Sequence, residues 1–419
     1  MNKSFLKGFF AGLLFWIIAI YSFFRIYWIM EVGLKYFRWH AILWLYGSIA
    51  AIFAGVSYWL YKHEKLNSQA AQKKYLRVFG LVAGLYLAEL LLRLLGLGQT
   101  YSEQRFGVFV DPIERVQKTW YMRWLPHEKK VLESGNEFSF PRVANAEGFS
   151  DKEWTTQKDS NEIRIITLGD SFTEGDGAPA DSCYPRQLEA MLQKEFPDVK
   201  INVLQAGRIG SDPWFEYKIL HDLLLKYKPD IVVYTNGSND LLFDHLYYGG
   251  MERFAPDSTV KNKLTKHWWM GLYEMSYVFR AMMSAAWYDN TLMSFGERQK
   301  NRLQAIADSK LLSKAYSQLA IENNFKCIQM VRADRDEIKR GEYEFDYPKL
   351  ISGIDSLPNY SSFNLLQFYK NSIQMSGKNM QDYFWHIDGH HNATGYKAMA
   401  KGVYKAVKLE IDKKIIRPI

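Results

Sequence analysis

A serine, an aspartate and a pair of histidines stand in short segments whose residue types suit acyl transfer. Ser171 lies in GDSFTEG (169–175), directly after the β-type run RIITL (164–168). A serine that leaves a strand into a glycine-flanked turn presents its hydroxyl, as a nucleophile requires. Near the C-terminal end, HIDGHHNATG (386–395) supplies Asp388 and the histidines, which are the residue types that activate such a serine. These segments predict a serine nucleophile with an imidazole base.

The segment around Ser171 resembles the first sequence block of the SGNH (GDSL-like) hydrolases, whose signature is GDS-x-x-x-G. Upstream, NAEGF (145–149) is similar to the N-x-x-G-F element that precedes the first strand in many membrane-tethered bacterial members. GSND (237–240), which follows the apolar run IVVY (231–234), matches the G-x-N-D block of the family. The resemblance implies an SGNH-type (flavodoxin-like) fold and a Ser/His/Asp triad that attacks esters.

The resemblance also implies an oxyanion hole. The loop QAGRIG (205–210) stands where the family has N-x-x-x-x-G, so Gly210 is expected to give its backbone N–H to the oxyanion, and Gln205 replaces the family's asparagine. Asn239 of GSND is expected to give the second N–H from its side chain. Each donor of this kind stabilises the transition state by roughly 3–4 kcal/mol. Asp240 is interpreted as a cap of the following helix rather than as a catalyst.

The last block leaves two histidines as candidates for the base. The family form D-x-x-H selects His391 after Asp388, whereas the form D-x-H-x-N-x-x-G selects His390 and also accounts for Asn392 and Gly395. The second form is found in members that resemble the alginate O-acetyltransferase group. We therefore take Asp388 as the orienting acid and His390 as the base, with His391 as the alternative.

The same run of residues also permits a metal-site interpretation. His386, Asp388 and His390 alternate along the segment, with His391 next to them, and such mixtures bind zinc or manganese. No second cluster in the sequence supplies a clear further ligand. We therefore predict neither a metal nor a cofactor.

Strand-like and helical patterns alternate through the C-terminal part of the chain and must position these loops. The predicted strands are 164–168, 200–204, 231–234 and 325–331, and the predicted helices are 184–196, 214–227, 301–323 and 394–413. This alternation predicts an α/β domain at 161–419, with a parallel sheet sandwiched between helices and ligands at the carboxyl ends of the strands. A polar, irregular segment at 99–160 is predicted to pack on the edge of this domain.

An aromatic-rich insertion at about 244–298 interrupts the domain. We interpret it as an extra helical layer, with a lid, a platform for a sugar ring or a surface for a membrane or partner as the functional alternatives. Trp268 and Trp269 cannot both face one helical core, so one of them is expected to be available for contact.

The first part of the chain, 1–98, has the pattern of a membrane region. The runs 8–24 and 41–61 contain no charged residue, and 78–98 is interrupted only by Glu89 and Arg93. Because those two residues are four apart, they can pair on one face of a helix. We predict three transmembrane helices, with a buried or interfacial helix as the alternative for the third.

The distribution of Lys and Arg predicts the orientation and the compartment. The connection at 62–77 is the richest in positive charge, which places it and the N-terminus in the cytoplasm and the domain after residue 98 outside the inner membrane of a bacterium. Much of the net charge of +8 lies in these flanking loops, so no nucleic-acid partner is predicted. Cys183 and Cys327 are both in the exported part, where a disulfide or two buried thiols are equally compatible with the sequence.

These observations predict a membrane-anchored serine esterase acting on O-acyl, above all O-acetyl, esters of envelope or exported glycans. The rival is an O-acetyltransferase, because hydrolysis and transfer use the same residues and the predicted spans could dock a membrane acyl donor or a membrane acyltransferase. An alternative from a different functional class is that the protein is a catalytically silent structural component of a membrane complex. The expected partners are an acylated glycan and the lipid bilayer.

Overall fold

The computed structural model describes residues 69–100, 124–255, 260–261, 268–286 and 293–416. The predicted membrane spans at 8–24 and 41–61 lie outside these ranges. The chain divides into two compact units, the first containing Met1–Asp111 and Lys266–Met293 and the second containing Pro112–Thr265 and Ser294–Ile419.

A parallel sheet forms the centre of the second unit. The strands described are β1 (Lys129–Ser134), β2 (Phe138–Val143), β3 (Glu162–Leu168), β4 (Lys200–Gln205), β5 (Ile231–Asn236), β6 (Lys326–Val331) and β7 (Tyr360–Asn364). The last five pair in the order β4-β3-β5-β6-β7, and every neighbouring pair is parallel. This confirms the predicted α/β class with a parallel sheet.

Helices connect the strands and cover both faces of the sheet. The α-helices described in the first unit are α1 (Gln69–Leu94), α6 (Met270–Met275) and α7 (Tyr277–Ala285). Those described in the second unit are α2 (Ser171–Glu174), α3 (Tyr184–Glu195), α4 (Pro213–Ile219), α5 (His245–Tyr248), α8 (Phe295–Glu322), α9 (Arg335–Arg340), α10 (Tyr347–Ile351), α11 (Leu365–Ser376) and α12 (Ala393–Ile416). Residues of α3, α11 and α12 share one apolar cluster with the sheet, and residues of α4, α8 and α10 share the other.

The alternation along β3 shows how one strand serves both clusters. Ile163 and Ile165 join the cluster on one face, whereas Ile166 and Leu168 join the cluster on the other. Successive side chains of a strand point to opposite faces, so a strand covered on both sides needs apolar residues throughout. This is why β3 can be recognised in the sequence as a continuous apolar run.

Two features differ from the sequence-based predictions. The segment at 99–160, predicted to be irregular, contains an antiparallel hairpin of β1 and β2 that pairs Lys129 with Val143 and Ser134 with Phe138. The sheet also ends in β7, which the predicted strands did not include. Four of the five residues of β7 are only half-buried and its sequence, YSSFN, is mostly polar, so it lacks the apolar run of the inner strands.

The NAEGF segment forms a compact turn after the hairpin. The side-chain oxygen of Asn145 accepts hydrogen bonds from the backbone N–H groups of Glu147 and Phe149, both at 3.0 Å. Gly148 supplies the positive φ of +81° that the turn requires. Phe149 is thereby buried, and its ring stacks on Trp154 with centroids 5.0 Å apart. The role of this element is to anchor the chain before β3.

In the first unit, α7 packs against α1 and Glu89 caps it. The Glu89 carboxylate accepts hydrogen bonds from the backbone N–H groups of Tyr277 at 2.9 Å and Val278 at 3.0 Å, and from the Ser276 hydroxyl at 2.8 Å. It also pairs with Arg93 at 2.7 Å, as their spacing predicts. A carboxylate satisfies the free N–H groups at the start of a helix and interacts well with its dipole.

The described ranges contain no helix that is both long and apolar enough to cross a membrane. The third predicted span, 78–98, overlaps α1, whose Glu89 is buried in the contact with α7. Within the same unit Trp268 is 89% exposed while Trp269 lies near Phe279, with ring centroids 6.2 Å apart. The expectation that only one of the two tryptophans faces the core is confirmed.

Candidate active site

The turn after β3 presents Ser171 as the first residue of α2. Asp170 caps this helix by accepting a hydrogen bond from the Phe172 N–H at 2.9 Å. The turn is tight, since a Cβ on Gly169 would lie 1.9 Å from the Thr173 hydroxyl oxygen and 2.3 Å from that of Thr235. Glycine at this position therefore allows the chain to bend sharply and leaves Ser171 half-buried at the carboxyl end of the strand.

A hydroxyl, an imidazole and a carboxylate form a continuous hydrogen-bonded series. The Ser171 Oγ lies 2.7 Å from the Nε2 of His390, and the His390 Nδ1 lies 2.5 Å from the Oδ1 of Asp388. Gly389 between the two has φ +81°, which folds the loop so that side chains two residues apart meet. Asp388 and His390 are both buried. The three predicted residues are thus brought together in the order needed for general-base activation of a serine.

His391 faces away from Ser171 into the protein core. It is fully buried, its Nε2 accepts a hydrogen bond from the Tyr369 hydroxyl at 2.7 Å, and its Nδ1 donates to the Tyr383 carbonyl at 3.2 Å. Burial lowers the pKa of His391 to about 3, because the charged imidazolium would be desolvated there. Both ring nitrogens are occupied by core groups, so the geometry favours His390 over His391 as the base.

The metal interpretation of the same segment is not supported. His386 is exposed, whereas Asp388 and His390 are buried and bonded to each other. Across the part of the chain that the structure describes, no group of three or more His, Cys, Asp or Glu side chains is arranged to hold a metal ion. Of the three histidines in the last block, His390 bonds to Ser171, His391 lies in the core and His386 is exposed.

The loop that carries Gly210 is tied to the nucleophile turn. The Arg208 N–H donates to the carbonyl of Gly169 at 2.8 Å, and the Ser211 hydroxyl donates to the same carbonyl at 2.9 Å. Gly210 lies between these two residues with φ +76°, a conformation that favours glycine. Because Gly169 is two residues before Ser171, this arrangement holds the predicted oxyanion loop against the turn that presents the nucleophile.

Glu174 is a buried carboxylate that the sequence motifs did not identify as a site residue. Its Oε2 accepts hydrogen bonds from the Ile209 N–H at 2.6 Å and from the Arg208 guanidinium at 3.1 Å. Burial raises the pKa of Glu174, and the charge of Arg208 opposes that shift. The carboxylate joins the end of α2 to the loop preceding Gly210, so it supports the shape of both.

Asn239 lies at the carboxyl end of β5, where the G-x-N-D block begins a helical turn. Its side chain is exposed, and its Nδ2 lies 3.4 Å from the Oδ2 of Asp244. Asp240 is buried and accepts a hydrogen bond from the Gly237 N–H at 2.6 Å, so it stabilises the turn as a helix-start residue. Burial raises the pKa of Asp240 well above its usual range, and the nearby carboxylates of Asp170 and Asp244 add to the shift.

Arg332 connects the turn after β3 to the turn after β5. Its Nη2 donates to the Oδ2 of Asp170 at 3.2 Å, and its guanidinium carbon lies 3.8 Å from the centroid of the Phe172 ring. The same ring also lies beside His390, with centroids 4.7 Å apart, and His391, with centroids 5.3 Å apart. A Cβ on Gly237 would lie 2.9 Å from the Arg332 side chain. Arg332 belongs to no motif, and its only sequence signal is its position directly after β6.

The two cysteines are both buried and free. The Cys183 thiol donates to the Oε1 of Gln205 at 3.0 Å, and burial raises the pKa of Cys183 to about 11. Of the two arrangements that the sequence allows, the structure favours two buried thiols over a disulfide.

Residues 167–398 match the GDSL-like lipase/acylhydrolase family. Among solved structures, this chain is similar to the acetyl xylan esterase AlAXEase at 15% identity, covering 58% of this chain and 100% of that chain with a TM-score of 0.37. It is also similar to Axe2, an acetylxylan esterase from Geobacillus stearothermophilus, at 12% identity, with 58% and 93% coverage and a TM-score of 0.36. A two-domain esterase (CEX) active on acetylated mannans is similar at 14% identity with a TM-score of 0.35. That match covers 61% of this chain and 50% of the esterase, so the chain spans about half of the esterase's length. No curated protein matches the chain.

Proposed function

The chain belongs to the GDSL-like lipase/acylhydrolase family. From this premise we propose that it is a carboxylic ester hydrolase, namely a membrane-anchored serine esterase that removes O-acyl groups, chiefly O-acetyl groups, from envelope or exported glycans. The observation that carries the proposal is the hydrogen-bonded series of Ser171, His390 and Asp388. The Ser171 hydroxyl lies beside the imidazole that would take its proton, and that imidazole lies beside the Asp388 carboxylate that would orient it.

In the proposed reaction, Ser171 attacks the acyl carbon of the ester while His390 Nε2 takes the proton from its hydroxyl. Asp388 accepts the hydrogen bond from His390 Nδ1–H, which fixes the tautomer and stabilises the imidazolium that forms. His390 then gives its proton to the leaving alkoxide. The acyl group remains on Ser171 until water, activated by the same imidazole, releases it as the carboxylic acid.

The negative charge that develops on the ester oxygen needs N–H donors around it. We assign these to the backbone of Gly210 and Ser171 and to the side chain of Asn239. The bonds from Arg208 and Ser211 to Gly169 support this assignment, because they fix the Gly210 loop beside the nucleophile before substrate arrives. Donors that are already in place need no reorganisation during the reaction, which is why such sites are effective.

The proposed location follows from the sequence. We propose that the chain crosses the membrane at 8–24, 41–61 and 78–98, since only an odd number of crossings separates a cytoplasmic N-terminus from an extracytoplasmic catalytic unit. The excess of Lys and Arg at 62–77 favours this orientation. An esterase held at the outer face of the inner membrane would meet O-acetylated glycans during their assembly or export. This is the basis for the proposed substrate class.

O-Acetyl transfer to a glycan is the second candidate. The block that contains Asp388, His390 and Asn392 resembles the alginate O-acetyltransferase group, and the same acyl-enzyme would serve if a glycan hydroxyl replaced water. A membrane acyl donor or a partner acyltransferase would then supply the acetyl group. The difference between hydrolysis and transfer lies in which acceptor reaches the acyl-enzyme.

The proposal is tested with the full-length protein in detergent and an O-acetylated glycan. Wild type should release acetate, Ser171→Ala should not, and the matched control Ser352→Ala, at an exposed serine after α10, should behave as wild type. Equal release by wild type and Ser171→Ala would remove the esterase proposal and favour a structural role. A labelled acetyl donor with a deacetylated glycan then separates the two reactions, since only a transferase would move the label to the glycan.

A further inference from the structure

The tip of the β1–β2 hairpin forms hydrogen bonds with the loop that carries the proposed catalytic acid, Asp388. The Oε1 of Glu137 accepts a hydrogen bond from the Ile387 N–H at 2.8 Å, and its Oε2 accepts one from the Asp388 N–H at 2.7 Å. A single carboxylate thus binds two successive backbone amides, and hydrogen bonds to an ionised acceptor are stronger than neutral ones. Glu137 lies 250 residues before Ile387 and 251 residues before Asp388 in the chain.

The next residue of the hairpin reinforces this contact. Phe138 is buried, and its ring lies against that of Trp385 with centroids 5.5 Å apart. Trp385 in turn donates its backbone N–H to the carbonyl of His390 at 2.9 Å and its indole N–H to the carbonyl of Gly177 at 2.6 Å. The hairpin therefore contacts the loop that carries Asp388 and His390 at two places, Trp385 and the backbone of Ile387 and Asp388.

The body of the hairpin contacts the other side of the proposed site. Leu132 of β1 and Ala144, just after β2, form a small buried cluster with Trp124, and Ile209 of the oxyanion loop packs against it. The guanidinium of Arg208 lies 5.6 Å from the centroid of the Trp124 ring. The segment predicted to be irregular is thus a bridge between the loop of Gly210 and the loop of Asp388 and His390.

Asp388 needs such support because of where it lies. It follows His386 and Ile387, which are both exposed, and precedes Gly389; the Arg335 guanidinium holds the carbonyls of Trp385 and His386, which come before it. A loop without such ties is mobile, and a displacement of about 1 Å in a catalytic group can cost roughly 10²-fold in rate. We propose that Glu137 is a positioning residue: its carboxylate fixes the backbone of Asp388, which keeps the Asp388 side chain on His390.

This inference rests on the proposed function and concerns the same site. Glutamine at position 137 keeps one acceptor oxygen but turns an NH2 group toward the second amide N–H, so one of the two bonds is lost. With p-nitrophenyl acetate and the full-length protein, Glu137→Gln should lower kcat by roughly 10-fold or more and leave KM within about twofold. Glu137→Asp keeps the charge but is too short to reach both amides, so it should show the same direction of change and serves if the glutamine variant does not fold. The control Glu133→Gln, at an exposed residue of the same hairpin, should match wild type.

A double-mutant cycle shows whether Glu137 acts through Asp388. In the Asp388→Asn background, adding Glu137→Gln should lower kcat by less than about twofold further, because residues that act through one another are not additive. A full multiplicative loss would overturn the inference, and so would Glu137 variants that match Glu133→Gln. Ser171→Ala in the same assay separates a failure of the inference from a failure of the proposed function. If Ser171→Ala abolishes activity and Glu137→Gln does not lower it, only the inference fails. If Ser171→Ala retains full activity, the proposed function and the inference fail together.

Discussion

The side-chain amide of Gln205 donates a hydrogen bond to the main-chain carbonyl of Glu174 at a distance of 3.0 Å. This bond joins the end of β4 to the end of α2, the short helix that begins at Ser171. Two residues further on, Gly207 lies so close to α2 that an added Cβ would be 2.5 Å from the Glu174 nitrogen and 2.6 Å from the Thr173 carbonyl carbon. The turn that presents the nucleophile and the loop that holds Gly210 are therefore fixed to each other.

The close approach at Gly207 gives the first prediction. Gly207→Ala places a methyl group against the backbone of α2, which cannot move without displacing Ser171. We expect kcat for p-nitrophenyl acetate to fall by roughly 10-fold or more. The control is Gly296→Ala in α8, where an added Cβ meets nothing within 4 Å and alanine should be neutral or stabilising. Equal activity of the two variants would show that the contact at Gly207 does not position the nucleophile.

The second prediction concerns the proposed oxyanion donor. Asn239→Ala removes a side chain that is exposed at the carboxyl end of β5, so the fold should be unaffected and the melting temperature should stay within about 2 °C of wild type. If Asn239 stabilises the oxyanion, kcat should fall by about 10²- to 10³-fold with little change in KM. A rise in KM with kcat unchanged would instead assign Asn239 to binding the substrate in the ground state.

Most of the fold could be predicted because the inner strands are covered on both faces. β3, β4 and β5 are rich in Val, Ile and Leu, and β6 has the buried residues Cys327, Ile328, Met330 and Val331, so all four stand out as apolar runs between helical segments. The hairpin and β7 could not be found in this way. In β2, Pro141 interrupts the pattern and is tolerated because the hairpin has only two strands, and β7 is an edge strand with partly exposed polar residues.

The site was predictable where short motifs carry its chemistry. The turn with Ser171 and the run from Asp388 to His391 are local in sequence, and the structure brings Ser171, His390 and Asp388 together. The choice between the two histidines depends on burial, which adjacent residues in one run do not reveal. Glu137 and Arg332 were missed because each is far in sequence from the loop that it holds and belongs to no motif.

The third prediction follows from the buried imidazole of His391. With a folded-state pKa of about 3 against about 6.5 in the unfolded chain, the unfolded state binds the extra proton between these values. His391 therefore lowers the free energy of unfolding as the pH falls below about 6.5, by at most about 1.4 kcal/mol per pH unit. Melting temperatures between about pH 7 and 4.5 should fall more steeply for wild type than for His391→Gln, which does not titrate. Parallel curves would contradict a buried neutral imidazole.

The fourth prediction concerns the thiols. Because Cys183 and Cys327 are buried and free, neither should react with Ellman's reagent in the native protein, and both should react after denaturation in guanidinium chloride. A reducing agent should leave the melting temperature unchanged. If reduction instead lowers the melting temperature and releases two new thiols, the cysteines form a disulfide.

The most direct test of the account is to compare His390 and His391 as partners of Ser171 in the full-length protein. A p-nitrophenyl phosphonate should label wild type on the peptide that contains Ser171, and p-nitrophenyl acetate hydrolysis should fall by about 10⁴-fold or more in His390→Ala. His391→Gln should still be labelled and should keep at least about a tenth of the wild-type kcat, since its ring contacts only the core. Labelling at another residue, or an active His390→Ala beside a folded but inactive His391→Gln, would contradict the assignment of Ser171 and His390 as the nucleophile and its base.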